Sequence, residues 1–214
     1  MDLTVVIVNF QTPDLVKTAI DSFKKFYPDV PLLIIENGSK DESPDVIRLL
    51  AESYNETKVL FLEKNIYHGP AMDLALSTHI DTEFGFFLDS DTETLKEGFL
   101  EEMVSLAGND DQNYGVGEFN RVNKRGFSAK DGVLILWTPY MLLRKDIYKQ
   151  LSPFHHHGQP TLANFTDAES KGYKLVEFPV SEYIDHKWRG TADRFGYGLG
   201  WRGKLDYLLN KLGM

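Results

Sequence analysis

An apolar run that ends in two aspartates constrains this chain more than any other feature of its sequence. Residues Phe84 to Leu88 are apolar apart from Gly85, and Asp89 and Asp91 follow the run directly. A short run of this kind predicts a strand buried in a parallel sheet. Because ligands of open α/β sheets bind beyond the carboxyl ends of the strands, the two carboxylates are expected to lie at a binding site.

The chemistry of Asp89 and Asp91 favours a metal site. Carboxylate oxygens suit hard cations such as Mg²⁺ and Mn²⁺, which commonly bind through one or two carboxylates together with substrate phosphates. An acidic turn after a strand is the alternative interpretation, since Asp and Ser are ordinary turn residues. The remaining motifs of the chain favour the metal–diphosphate site.

The first half of the chain alternates strand and helix patterns. Leu3 to Val8 is rich in β-branched residues, and Thr12 to Asp14 supplies an N-cap, a first-turn proline and an acid for a helix. Thr94 to Glu97 has the pattern of a capping box that opens the fourth helix. The elements between them are predicted at Pro31 to Ile35, from Ser43 through Tyr54, at Val59 to Leu62, at Pro70 to His79 and at Phe84 to Leu88.

This alternation predicts an α/β fold with a mainly parallel central sheet and helices on both faces. The second half is less regular, although its patterns still predict three strands and two helices. The strands are Tyr114 to Phe119, Val133 to Tyr140 and Lys174 to Phe178, and the helices are Arg144 to Leu151 and Pro160 to Lys171.

Composition excludes several classes of protein. The chain has no cysteine, which rules out disulfides and Cys-ligated zinc, and its net charge of −9 argues against a nucleic-acid partner. No apolar run approaches the ~20 residues that span a bilayer. Because Met1 to Leu3 lacks the basic region of a signal peptide, a cytoplasmic location is expected.

Further motifs occur in the order of a known family. They are Val5 to Asp14, Ile34 to Asp41, Asn65 with Asp73, Asp89 to Asp91, and Glu177 to Val180 leading to His186. In this order the chain resembles family 2 glycosyltransferases of the GT-A fold, particularly rhamnosyltransferase-like members. Tyr67 and Asp73 depart from the pattern, because they stand where the family has Gly and Asn.

The resemblance implies a role for each motif. Asp91 would bind Mn²⁺ or Mg²⁺, Asp89 would support it toward the ribose or through water, and His186 would complete the coordination. The residues expected to contact the nucleotide sugar are Asn9, Glu36, Asn65, Asp73, Asp89, Lys187 and Arg189. For several of these an ordinary role stays open: a turn acid for Glu36, a surface histidine for His186, and solvated charges for Lys187 and Arg189.

The catalytic base is the main departure from the family. Inverting members carry an acidic pair at the start of the acceptor-side helix, whereas the corresponding stretch of this chain, His155 to Thr161, contains no acid. His157 is the first replacement candidate, because the histidine pKa lies near neutrality. Asp167 and Glu169 are the other candidates, and both also fit a solvated helix surface.

The resemblance implies a metal-dependent transfer of a sugar from a nucleotide-diphosphate sugar to an acceptor hydroxyl, with inversion. A UDP- or GDP-sugar is the expected donor, and a glycan or lipid-linked molecule the expected acceptor. One domain over residues 1–214 is expected, with a nucleotide-sugar half (1–92), an acceptor half (93–190) and a basic tail (191–214).

Two other functions stay open at this point. A sugar nucleotidyltransferase would need a Gly-rich basic loop after the first strand, and Asn9 to Pro13 does not supply one. A nucleotide-binding scaffold without catalysis would explain the missing acidic pair.

The C-terminal tail is predicted to contain an amphipathic helix. Its apolar face is formed by Trp201, Leu205, Leu208, Leu209 and Leu212. Such a helix would pack on its own domain, contact a second subunit, or lie on the inner face of an anionic membrane.

Overall fold

The computed structural model describes residues 1–124, 126–155 and 159–187. The strands are β1 (Leu3–Asn9), β2 (Leu32–Glu36), β3 (Thr57–Phe61), β4 (Phe84–Leu88), β5 (Thr92–Thr94), β6 (Asn113–Val122), β7 (Val133–Arg144), β8 (Lys174–Glu177) and β9 (Ile184–His186). The helices are α1 (Pro13–Phe26), α2 (Ser43–Ser53), α3 (His68–Leu74), α4 (Phe99–Gly108), α5 (Lys145–Tyr148) and α6 (Leu162–Ser170). A π-helical turn, Ala75–His79, continues α3, and Val180–Glu182 is a 3₁₀ turn.

Seven strands form one sheet in the order β3-β2-β1-β4-β7-β6-β8, and β5 pairs with β9 in a separate ribbon. Within the sheet β7 runs antiparallel to both of its neighbours, and every other pair is parallel. The carboxyl ends of β1, β2, β4 and β6 therefore lie along one edge. The mainly parallel sheet predicted from the sequence is confirmed.

Apolar side chains cover both faces of this sheet. Along β1, Val5 and Ile7 face one core, and Val6 and Val8 face the other. Helices α1, α2 and α4 pack in the first core, and α3, α5 and α6 pack in the second. This double-sided packing explains why the central strands are apolar at consecutive positions. Among the described residues, none of the helices has the length and apolar character that a membrane crossing requires.

The capping box predicted at Thr94 to Glu97 is wrong. Thr94 ends strand β5, where it pairs with Ile184, and α4 begins only at Phe99. The Thr94 side chain caps no helix, since its hydroxyl is buried without a hydrogen-bond partner among the described residues. Gly98 provides the left-handed turn before α4, with a φ of 100°. The long-range pairing with β9 outweighs the local capping signal.

Other boundaries differ by shorter distances. The helix predicted from Arg144 is reduced to α5, because β7 continues to Arg144 by pairing with Phe84 in β4. Helix α3 begins at His68, two residues earlier than predicted. Helix α6 begins at Leu162 rather than Pro160, after the N-cap residue Thr161.

Candidate active site

Asp89, Asp91 and His186 meet at the carboxyl end of β4. One ligand atom from each of the three residues lies within 4.8 Å of those of the other two. His186 Nε2 lies 3.1 Å from Asp91 Oδ1, and both side chains are largely buried. Two carboxylates and an imidazole are a donor set that suits Mn²⁺ or Mg²⁺. The residues present therefore fit a divalent cation.

The β5–β9 ribbon brings His186 to the aspartates. Thr92, the residue after Asp91, pairs directly with His186 across the ribbon. The backbone N–H of Lys187 donates to the Asp91 carbonyl at 3.0 Å, and the Lys187 side chain is exposed beside it. Asp91 and His186, which are 95 positions apart in the chain, are thus brought together by the backbone pairing of their neighbours.

The site concentrates negative charge. Burial raises the pKa of the Asp89 carboxyl above its ordinary value, against the opposing effect of the nearby His68. Asp91 adds to this rise in the Asp89 pKa, and His186 lowers it. Burial lowers the pKa of His186, but its hydrogen bond with Asp91 and the charge of Asp89 outweigh burial, so the pKa is raised. A bound cation would relieve the repulsion between the two carboxylates.

Sequence reasoning missed His68, the first residue of α3. His68 Nε2 lies 3.5 Å from Asp89 Oδ1. It lies outside the group of ligand atoms formed by Asp89, Asp91 and His186. The sequence offered one indication of a role for His68, because the loop after β3, in which it was expected to lie, opens onto the same edge of the sheet as Asp89. No family motif marks this position, so the signal was weak.

A buried polar network joins the ends of β1 and β2. Asn9 Nδ2 donates to Glu36 Oε2 at 2.9 Å, and the Thr12 hydroxyl donates to Asn9 Oδ1 at 2.8 Å. The Ser39 N–H donates to the other Glu36 oxygen at 2.6 Å. Thr12 Oγ1 also lies 3.5 Å from the hydroxyl of Ser90, which separates the two aspartates. The network therefore links the loop after β2 to the segment that carries Asp89 and Asp91.

Glu36 is 1 % exposed, and each of its carboxylate oxygens accepts a hydrogen bond from the protein. It holds the loop that follows β2. Its expected contact with a nucleotide base stays a prediction, as does the nucleotide contact of Asn9.

Asn65 and Asp73 lie on either side of His68 in the chain. Asn65 Oδ1 accepts a hydrogen bond from the Tyr67 N–H at 2.6 Å, which holds the turn into α3. The Asp73 carboxylate accepts a hydrogen bond from the hydroxyl of Tyr148 in α5. The contacts described for both residues are structural, and their nucleotide contacts stay predictions.

The three candidate bases differ in their surroundings. Asp167 accepts hydrogen bonds from the Ser152 N–H at 2.8 Å and from Lys171, and these bonds lower its pKa. Glu169 is exposed on α6. His157, Arg189 and the predicted C-terminal helix lie outside the described residues.

Comparison with known proteins identifies the family. The Glycosyl transferase family 2 model matches residues 4–166, and the chain belongs to this family. No curated protein sequence matches the chain.

Two solved structures show the same GT-A fold. The mannosyltransferase PcManGT of Pyrobaculum calidifontis, in complex with GDP-Man and Mn²⁺, superposes with a TM-score of 0.67 at 16% identity, over 83% of this chain and 55% of that one. S. aureus TarS 1-349 in complex with UDP-GlcNAc gives 0.63 at 17% identity, over 86% and 58%. This chain thus spans less than two thirds of the length of either structure.

Proposed function

We propose that this protein is a metal-dependent glycosyltransferase that moves a sugar from a nucleotide-diphosphate sugar to an acceptor hydroxyl with inversion. The observation that carries the proposal is the cluster of Asp89, Asp91 and His186 at the carboxyl edge of the sheet. Ligands of open α/β sheets bind at the carboxyl edge of the strands. Because the chain belongs to glycosyltransferase family 2, the ligand expected at this edge is the sugar donor.

Asp89, Asp91 and His186 would have different roles in binding the cation that holds the donor. Asp91 Oδ1 and His186 Nε2 lie 3.1 Å apart and are largely buried, and both would bind the cation in place of the hydrogen bond between them. Asp89 would support the cation from a more exposed position. When bound, the cation would supply Lewis-acid stabilisation of the negative charge on the departing nucleoside diphosphate. The exposed Lys187 side chain, next to the Asp91 backbone, is suited to a diphosphate oxygen.

The loops after β1 and β2 would hold the nucleoside. Their network ties Glu36 through Asn9 and Thr12 to Ser90 in the metal motif. Preorganised loops reduce the entropic cost of binding a flexible nucleotide. A UDP- or GDP-sugar is the proposed donor, and the GDP-Man and UDP-GlcNAc complexes of the two similar structures support this choice. A rhamnosyltransferase-like member would use a deoxyhexose in the same way.

The acceptor would bind against the segment between β7 and β8. We assign the base to His157, because Asp167 is already bonded to Ser152 and Lys171 and its pKa is lowered. Inversion follows if a base on this side deprotonates the hydroxyl that attacks the sugar. The acceptor is proposed to be a glycan or a lipid-linked molecule, and the cytoplasmic location stays a prediction.

A thermal-shift screen tests the proposal. UDP-, GDP-, dTDP- and CMP-sugars are added with and without Mn²⁺, and the ligand that stabilises the protein is then tested for sugar transfer or hydrolysis. Stabilisation that requires Mn²⁺, followed by turnover, supports the proposal. Tight binding without turnover on any acceptor would instead identify a nucleotide-binding scaffold.

The role of the C-terminal tail is tested separately. Sedimentation with anionic vesicles at low salt would recover the protein in the pellet if the predicted helix lies on a membrane. A truncation after Gly200 that becomes monomeric would instead show a contact between subunits.

A further inference from the structure

Each of the two metal-site aspartates lies next to its own histidine. Asp91 Oδ1 is 3.1 Å from His186 Nε2, and Asp89 Oδ1 is 3.5 Å from His68 Nε2. His186 belongs to the group of mutually close ligand atoms, whereas His68 does not. The two histidines are therefore placed for different tasks.

His68 Nε2 is buried and forms no hydrogen bond with another described residue. The rest of the ring is accessible, since the side chain is 36% exposed. The Nε2–Asp89 separation is roughly 0.6 Å longer than an ordinary N–H···O bond, so a small side-chain rotation closes it. A buried donor without a partner costs free energy, and Asp89 is the partner within reach.

The backbone around His68 is held in an unusual conformation. Tyr67 has a φ of 73°, a left-handed value that is uncommon for a bulky residue. Asn65 accepts the Tyr67 N–H at 2.6 Å, and the Asn37 side chain accepts the Ile66 N–H at 2.9 Å. Strain that is maintained by specific side-chain bonds points to a positional requirement at the site.

Gly69, which follows His68, lies in close contact with the backbone of His155. A Cβ atom at this position would lie 1.7 Å from the His155 carbonyl oxygen, so no other residue fits without backbone movement. The start of α3 is thus packed against the acceptor-side segment while His68 faces Asp89. This packing fixes the backbone position from which the imidazole reaches the carboxylate.

We propose that His68 is a positioning residue that fixes the orientation of the Asp89 carboxylate for the metal. Its Nε2–H would donate to Oδ1, which leaves the other carboxylate oxygen to face the cation. Outer residues of this kind commonly orient the groups that bind a metal. The inference rests on the proposed function, since it assumes that Asp89 belongs to a metal site.

The test is a double-mutant cycle on metal affinity, with Mn²⁺ alone as the probe and its free concentration measured by electron paramagnetic resonance. His68→Ala should weaken Mn²⁺ binding by about 10–100-fold, the effect typical of outer-sphere residues. In an Asp89→Asn background the same change should have no further effect, because His68 acts through Asp89.

Conservative variants of His68 distinguish loss of its hydrogen bond to Asp89 from a general defect in folding. His68→Gln should keep near-normal affinity, because its amide nitrogen can take the place of Nε2, whereas His68→Asn is too short and should resemble His68→Ala. His79→Ala, at an exposed histidine, is the control and should leave affinity unchanged.

Equal losses in both Asp89 backgrounds, failure of His68→Gln to restore binding, or no loss in His68→Ala would each overturn the inference while the wild-type protein still binds Mn²⁺. A wild-type protein that does not bind Mn²⁺ would overturn the proposed metal site and this inference together.

Discussion

The carboxyl edge of the sheet, where we propose that the donor binds, and the segment between β7 and β8, where we propose that the acceptor binds, are built in different ways. We call them the donor edge and the acceptor segment. At the donor edge, functional side chains follow strand ends, as Asp89 and Asp91 follow β4 and Asn9 ends β1. The acceptor segment contains two short helices, α5 and α6, joined by a long connection. Strand pairing thus fixes the residues that follow β4 and β1 through the backbone, whereas the described residues of the acceptor segment pair with no strand and are held by local backbone bonds and by side-chain bonds such as that from Ser152 N–H to Asp167.

The largest expected effect tests the chemistry of the acceptor segment. His157→Ala should lower turnover by about 10²–10⁴-fold while donor affinity is largely kept, because a general base acts on the acceptor hydroxyl. Steady-state kinetics with a donor titration measure both quantities. His155→Ala, at an exposed neighbouring histidine, is the matched control. Near-normal turnover in His157→Ala would transfer the role to Asp167, to Glu169 or to the acceptor itself.

A pair of buried amides compares the two regions directly. Asn9 bonds to Glu36 and Thr12 at the donor edge. In the acceptor segment, Asn164 accepts from the Tyr114 hydroxyl at 2.6 Å and donates to the Ser152 carbonyl at 2.7 Å. Replacing either by Ala should lower the free energy of unfolding by about 1–3 kcal/mol, because buried partners lose their bonds.

Only Asn9→Ala should also weaken binding of GDP or UDP with Mn²⁺, since its network reaches the metal motif. Denaturant unfolding and calorimetry on both variants measure the two effects. If Asn164→Ala weakened nucleotide binding as much as Asn9→Ala, the separation between donor edge and acceptor segment would be wrong.

The same contrast explains how much the sequence could predict. Apolar strands such as Phe84 to Leu88 are buried on both faces, so their pattern is local and their carboxyl ends share one edge. The capping box predicted at Thr94 to Glu97 is wrong because the strand partner of Thr94, Ile184, lies far along the chain. His68 was missed for the same reason, since only the folded chain brings it to Asp89.

The smallest expected effect concerns the pH dependence of stability in the acceptor segment. The Ser152 backbone N–H and the Lys171 side chain lower the pKa of Asp167, so its contribution to stability is present above the unfolded pKa of ~3.9. This contribution is lost as pH falls through the lower folded value. Asp167→Asn should therefore destabilise the protein at pH 7 and have less effect near pH 3. Urea unfolding at both pH values measures this, and an unchanged difference would exclude the carboxylate charge as its source.

The metal site that we propose at the donor edge is tested most directly by calorimetry of GDP and UDP with and without Mn²⁺, on wild-type protein and Asp91→Asn. Glu93→Gln, on the other side of β5, is the matched control. Wild type and the control should bind nucleotide only with Mn²⁺. Asp91→Asn should lose more than about 100-fold in affinity, beyond the range of outer-sphere changes, with its thermal unfolding unchanged. Mn²⁺-dependent nucleotide affinity that persists in Asp91→Asn would contradict the assignment of Asp89, Asp91 and His186 as the metal site.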